Sequence, residues 1–544
     1  MKRIYLSIIA LALIFSGCEI DRAPYDALTP EDLDKSEGSL QAVTDGNYAR
    51  LKTMALGWHR VMEFPSDNVS LSGTTTSHLI YLYNYQRIAS NSFSTSFWTN
   101  SYQIIASSNR ILETVPKGKS PASDQLLGEN YFLRAYLHFS LVNVFGRPYS
   151  HGAENLGVPL KTDANPQNHP ARSKVGEVYA QVIRDLETAE SLLNVSKPNI
   201  YVSKEVVWAL LSRVYLYMED NTKAIEYADK VINSKRYSLV NTATLPVYPT
   251  LKPESNSETI WAIKFIPNAD LEAGGYSNIG SMYSTIQGVG YGEMYASRTY
   301  LELVRRFPTD VRNKFIVPNY LNNGKLVAIY VDNAYQYKSV YVTKVNTDDY
   351  SYIEAGTTKM LEKEVNAQGL TEYYITVGGA RRKVFVEAEM AARNGYPKYF
   401  IIKASGQEGQ AQLWSPVVFR LAEMYLIKAE AYAKLGDAQS ALANVNIIRT
   451  RAGIPTPGLY QADNLPANKT VLDLVLEERQ LELAWEGHRK FDVFRNKRDM
   501  DRRYPGGHLS GNTPINYIKW ADAFAIELIP ESQILTHQGL VQNP

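Results

Sequence analysis

Along most of this chain apolar residues recur every three or four positions, the spacing that gathers them on one face of a helix. "SFWTNSYQIIASSNRILETV" steps through Trp98, Tyr102, Ile105, Asn109 and Leu112, and predicts one helix. "SDQLLGENYFLRAYLHFSLVNVF" does the same through Leu126, Tyr131, Ala135, Phe139 and Val142. Ser123 is the expected cap of this second helix, and Gly146 and Pro148 the expected stop. Two later segments resemble each other, 210–232 and 427–449: laid together, Tyr215 falls on Tyr432, Ala224 on Ala441 and Val231 on Ile448. In each, a helix ends, a short polar turn follows, and a small alanine sits where the second helix must pack closely. This resembles tetratricopeptide helix pairs; a plain helical hairpin is the alternative. Less regular copies pair 131–143 with 175–193 and 414–433 with 471–495.

The middle of the chain changes period. From about 243 to 410 it carries short β-leaning runs, "TIWAIKFI", "KLVAIYV", "SVYVTKV", "EYYITV" and "PKYFIIKA", cut by Gly, Asn and Asp turn signals. These predict loops and small sheets inserted into a helical scaffold, the kind of segment that carries binding surfaces.

Composition narrows the function classes. Hydrophobic residues are 45% and charged residues 21%, which suits a globular, water-soluble body. Lys plus Arg number 57 against 56 Asp plus Glu, so no net field recruits nucleic acid or an anionic membrane surface. Tyrosine is the outlier, with 38 against 16 Phe and 7 Trp. A phenol offers an apolar face and a polar tip, which suits binding surfaces that stay wet. There is one cysteine, Cys18, so no internal disulfide can form. Basic Lys2 and Arg3, the apolar run Ile4–Phe15 and small Ser16 and Gly17 precede it, the layout of a secretory signal. The run is shorter than the roughly 18–20 residues that span a bilayer. Small residues before a cysteine resemble the lipobox of bacterial lipoproteins, with Phe15 where leucine is usual; an ordinary cleaved signal is the alternative. Residues 1–17 are therefore expected to be a lipoprotein signal peptide and 18–38 a lipidated, polar tether.

The C-terminal third holds the most distinctive blocks. "SPVVFRLAEMYLIKAEAYAKLGD" runs on to "EERQLELAWEGHRKFDVFR", residues 477–495. Together they resemble the two strongest signatures of the SusD/RagB family of outer-membrane nutrient-binding lipoproteins, whose second block reads E-R-R-x-E-L-A-x-E-G-H-R-x-x-D. Glu478, Arg479, Glu482, Leu483, Ala484, Glu486, Gly487, His488, Arg489 and Asp492 match it, and Gln480 replaces the second arginine. "FLRAYLHFSLVNVFGRPY" with "LGVPL" resembles the family's N-terminal signature, and "FPTDVRNKF" its D-x-R element. The resemblance implies a mainly α, SusD-like fold in which four tetratricopeptide-like helix pairs support a loop-rich face with small β elements. On that reading 39–242 is an N-terminal helical region, 243–410 the insertion forming much of the ligand face, and 411–544 the C-terminal part of the scaffold. It also implies a non-catalytic, lipid-anchored protein on the outer face of the outer membrane. Such a protein binds a poly- or oligosaccharide, or in some members peptides, and hands it to a SusC-like TonB-dependent transporter.

The residues allow few other chemistries. Glu482 and Glu486 lie one helical turn apart, on one face of one helix beside Arg479, Arg489 and Lys490. That predicts i,i+3 and i,i+4 ion pairs rather than the opposed carboxylates of a glycoside hydrolase. His488 has no recognised metal-ligand spacing and reads as a structural histidine. Asp348 and Asp349 read as a solvated loop, and neither cofactor nor metal is expected. A glycan site should interleave exposed aromatics with polar side chains, and two stretches do so. One, "GWHRVMEFPSDNVS" with "HLIYLYNYQR", offers Trp58, Asp67, Asn68, Tyr81 and Tyr83. The other, "GGYSNIGSMYSTIQGVGYGE" and Tyr295 just beyond it, offers Tyr276, Asn278, Tyr283, Gln287, Tyr291 and Tyr295. Trp98, Trp208, Trp414 and Trp485 fall on periodic segments and are expected in the core. The rival readings are a surface glycoside hydrolase and a repeat scaffold that binds another protein.

Overall fold

Ser36 caps the first helix, its hydroxyl accepting the Ser39 N–H at 3.1 Å. From there the computed structural model describes residues 36–544, except 73–77, 272–275, 367–368 and 508–514. The proposed signal peptide, Cys18 and nearly all of the tether lie outside the described residues.

Helices build the scaffold. They are α1 (Glu37–Glu63), α2 (Leu79–Tyr83), α3 (Ser92–Thr114), α4 (Pro121–Phe145), α5 (Val175–Leu192), α6 (Lys204–Met218), α7 (Asn221–Asn233), α8 (Arg298–Val304), α9 (Leu421–Lys434), α10 (Ala438–Arg451), α11 (Val471–Glu482), α12 (Arg489–Arg495) and α13 (Glu531–Thr536). The cap of α4 is Ser120, not Ser123: Ser120 and Ser123 answer each other's backbone N–H groups in a capping box, and Pro121 takes the first turn. The self-similar segments fold as the helix pairs α6–α7 and α9–α10, with Asp220 and Asp437 capping the second helix of each. Ala224 and Ala441, both fully buried, let the helices of each pair close up. The irregular copy is the pair α4–α5, and α11 packs on α9. A continuous apolar core runs through α1 and α3–α7 to α9.

The insertion is more ordered than its sequence suggests. Seven strands form one antiparallel sheet: β1 (Leu326–Val331), β2 (Tyr337–Lys344), β3 (Tyr350–Glu354), β4 (Thr357–Met360), β5 (Glu362–Val365), β6 (Thr371–Val377) and β7 (Ala380–Ala388), in the order β4-β3-β2-β1-β7-β6-β5. Only Leu361 separates β4 from β5, and its N–H donates to Tyr350 O at 2.8 Å. One bent strand therefore pairs with β3 at one end and β6 at the other, and the sheet curls into a small barrel. Ala328, Tyr330, Val342, Tyr352, Ile375 and Val384 fill it. β1 is apolar without alternation because it is buried on both sides: Ala328 and Tyr330 join the barrel interior, Val327 and Ile329 the core of the main body. Separate short runs could not announce this closure, since β1 meets β7 only across the whole insertion, Ile329 opposite Phe385.

Candidate functional site

The signature blocks converge on the interior. Arg312 is fully buried and donates to Asp310 at 2.8 and 2.9 Å, to Glu478 at 2.6 Å and to Glu482 at 3.2 Å. Arg420, from the strand before α9, donates to both oxygens of Glu486 at 2.8 and 3.0 Å and to Glu258 at 2.8 Å, and also reaches Glu482. Lys403 donates to the carbonyls of Glu482 and Ala484 at 2.8 and 3.0 Å, and pairs with Glu486. Arg479 pairs with Asp492, and Arg495 bridges Asp492 and Glu430. The carboxylates of Glu482 and Glu486 thus find their cations on other segments, not one turn along their own helix as the spacing predicts. Burial raises both carboxyls, but the surrounding cations overrule it and hold both below the ordinary range, Glu482 far below. Neither is free to carry a proton to a substrate. His488 is buried as well; burial, then the nearby arginines, hold its imidazole neutral.

The candidate ligand residues divide sharply. Asp67 is buried in a two-point ion pair with Arg489, at 2.7 and 2.8 Å. Asn68 is buried and accepts from Gln480 at 3.0 Å. Trp58 is half-buried and lies over Gly487, where a Cβ would sit 2.6 Å from its ring. Tyr83 is in the core, its hydroxyl accepting the Leu71 N–H at 2.9 Å and donating to Val69 O. Tyr283 is fully buried and bonds His59 at 2.8 Å, and Tyr295 packs on Phe400. Asn278 is buried too. Half-buried Trp58 apart, the exposure expected of these residues is corrected: their polar tips serve backbone and interior partners, or none, and the rings of Tyr83, Tyr283 and Tyr295 fill the core. Tyr81 stays half-exposed on α2, edge-on to His78.

Tyr276, Tyr291 and Gln287 remain on one exposed loop, which brings the two tyrosine rings together. Tyr276 is 40% and Tyr291 50% exposed, with ring centroids 5.0 Å apart at 59°. The geometry comes from alternating glycines. Ile286 and Val289 exchange backbone hydrogen bonds at 2.9 Å, closing a tight turn over exposed Gln287. Gly290 has φ +109°, and a Cβ there would lie 2.3 Å from Ser284 O. Gly292 has φ +52°, and its Cβ would lie 2.7 Å from Thr285. Between them the N–H groups of Tyr291 and Gly292 both donate to Ser281 O, at 2.7 and 2.9 Å, and the Tyr291 ring stays half exposed. Arg393 buttresses the loop, donating to Tyr291 O at 3.0 Å and to Glu293 at 2.9 Å. The sequence reading missed Arg393, although the adjoining Asn394-Gly395 pair, both at positive φ, is a hairpin-turn signal. Two aromatic faces beside a guanidinium and a carboxylate can stack on sugar C–H patches and bond hydroxyls. Being open, the surface suits a long chain.

The larger cavities are of another kind. One of about 510 Å³ lies between α8 and strands β6 and β7, and one of about 350 Å³ between α8 and α11. Their walls carry ion pairs, Arg305–Glu387 and Arg306–Glu477 at 2.7 Å, Lys383–Glu372 at 2.7 Å and Arg498–Asp473 at 2.8 Å. Among the described residues no cluster of three or more His, Cys, Asp or Glu side chains could hold a metal, and Asp349 is paired with Lys363.

Comparison with known proteins agrees with the fold. Residues 20–216 match a family described as starch-binding, associating with the outer membrane, and residues 257–544 match the SusD family. SusD-like proteins P2 and P38 of Formosa agariphila are 24% and 25% identical, over 93% and 91% of both chains. A SusD superfamily protein from Bacteroides thetaiotaomicron has the same fold, with a TM-score of 0.73 at 22% identity, over 94% of this chain and all of that one. A putative sugar binding protein from Bacteroides vulgatus gives a TM-score of 0.68 at 21% identity, over 93% and 98%.

Proposed function

The chain belongs to the SusD family, and from that premise we propose that it captures a poly- or oligosaccharide outside the cell and delivers it to a SusC-like TonB-dependent transporter. The observation that carries the reading is the Tyr276–Tyr291 pair, two exposed rings in contact on a glycine-built loop. Lipidation at Cys18 would tether the protein to the outer membrane, the compartment named in the description of the family matched by residues 20–216. Capture without catalysis is consistent with the buried, ion-paired state of Glu482 and Glu486.

The test is calorimetric titration against a panel of neutral and acidic polysaccharides and a peptide digest. It compares the parent with a variant carrying Tyr276→Ala and Tyr291→Ala. Saturable heat with one glycan, without release of new reducing ends, is expected. Two stacking faces at about 1 kcal/mol each make the variant ~10–100-fold weaker. Undiminished affinity in the variant refutes the platform, and heat with the peptide digest alone turns the reading to peptide capture. Co-purification of a membrane barrel with the tagged lipoprotein tests the transporter step.

A further inference from the structure

We propose a second, smaller sugar site, distant in sequence from the tyrosine platform, that holds a single neutral pyranose ring in the pocket between α3, the loop 159–170 and the C-terminal helix α13. The pocket measures about 210 Å³, below the range for drug-sized ligands and fitted to one six-membered ring. Trp98, Tyr102 and Pro159 line its inner side; His169, Gln533 and His537 contribute its polar groups. Trp98 and Tyr102 lie 5.0 Å apart, and His169 and His537 5.6 Å apart.

The polar groups here are unused. Trp98 is only 3% exposed, yet among the described residues its indole N–H has no hydrogen-bond partner. The Gln533 amide and the rings of His169 and His537 also have no protein hydrogen-bond partner among the described residues, His169 being exposed and the other two half-exposed. Trp98 lines the pocket, so an acceptor on a ligand seated there is what this donor would meet. The one cation lining the pocket is spent: Lys161 donates to Asp163 at 2.6 Å and to the carbonyls of Asn165 and Asn168 at 2.6 and 2.8 Å. A pocket of apolar faces with donors and acceptors at its rim matches a ring with a C–H face and an equatorial girdle of hydroxyls.

The pocket is also built in advance. The Asn109 amide donates to Lys161 O and Asp163 O at 3.1 and 2.9 Å. Arg134, paired with Asp185 at 2.6 Å, donates to Asn109 and to Thr162 O. Buried polar residues of α3 and α4 therefore fix the loop that carries His169. On the opposite side Gln542 exchanges hydrogen bonds with the Ile529 backbone at 2.7 and 2.8 Å, and Asn543 donates to Phe145 O and Glu527 O at 2.8 and 2.6 Å, pinning the segment around Gln533 and His537.

The class of ligand rests on the carbohydrate-binding reading; the site itself does not use the platform residues. The test follows the Trp98 indole N–H resonance, assigned by its loss in Trp98→Phe, while glucose, galactose, mannose, xylose, fucose and N-acetylglucosamine are titrated to high millimolar concentration. One or more sugars should shift it saturably. Gln533→Ala and His537→Ala should each weaken that response at least fivefold, while Tyr276→Ala with Tyr291→Ala leaves it unchanged. Loss of the response in the platform variant would overturn the independence of this site. Its persistence in both pocket variants, or no shift with any sugar, would overturn the site, whatever the polysaccharide titrations show.

Discussion

Glu63 offers the sharpest test of the interior. It ends α1, is fully buried, and accepts the Gly487 N–H and the Ser66 hydroxyl, both at 3.0 Å. Those bonds favour the carboxylate, but burial outweighs them and pushes the group from an ordinary 4.5 up to about 7. The folded protein therefore binds a proton between pH 4.5 and 7 that the unfolded chain has already lost, and stability must fall as pH rises through that window. At about 1.4 kcal/mol per pH unit the loss is about 3 kcal/mol, complete above pH 7. Other buried groups act in the opposite sense. His59 and His138, pushed down to about 3 by burial, withdraw stability as pH falls below 6.5.

Glu63→Gln isolates the carboxyl. Glutamine keeps the shape, stays neutral at every pH, and gives up one accepted hydrogen bond, worth about 1 kcal/mol. The parent should be the more stable near pH 4.5, and the variant equal or better near pH 8. Urea unfolding midpoints at half-unit pH steps measure this, read as the difference between the two proteins so that the histidines cancel. If the difference stays constant from pH 4.5 to 8, the buried carboxyl is ionised throughout, and the claim that burial outweighs its donors is wrong.

Arg420→Met removes the cation shared by Glu258, Glu482 and Glu486. It should cost about 3–5 kcal/mol in denaturant unfolding, the price of leaving buried carboxylates short of a partner; a variant as stable as the parent would show that Lys403 and Arg451 suffice. Gly290→Ala places a methyl 2.3 Å from Ser284 O at φ +109°. Amide exchange over 284–293 should quicken and glycan affinity fall as in Tyr291→Ala, while the unfolding midpoint barely moves; unchanged exchange would mean that the turn tolerates a side chain.

The helical scaffold was legible because each helix declares itself within its own segment: periodicity marked α3 and α4, and the repeated alanines marked α6–α7 and α9–α10. The buried charge was legible only as a list of residues. Nothing in "FPTDVRNKF" says that Arg312 meets Glu478 and Glu482, some 170 positions on, because that pairing is made by packing α11 against the loop after α8. The barrel was hidden for the same reason.

The tyrosines show where the reading of the site divided. Tyr83, Tyr283 and Tyr291 look alike in composition and neighbourhood, each an aromatic among polar residues. For two of them the phenol has something to bond inside. For Tyr83 it is the backbone of Val69–Leu71, and for Tyr283 it is His59. Both partners lie beyond the local window. Tyr291 differs in a way the sequence does display: glycines stand on both sides of it, and Gln287 precedes Gly288. Glycines at positive φ reverse the backbone within a few residues and leave no neighbouring side chain to pack over the ring between them. Tyr283, between Met282 and Ser284, has no such spacing and turns inward. Of these three tyrosines, then, the exposed one is the one whose neighbours are least able to cover it.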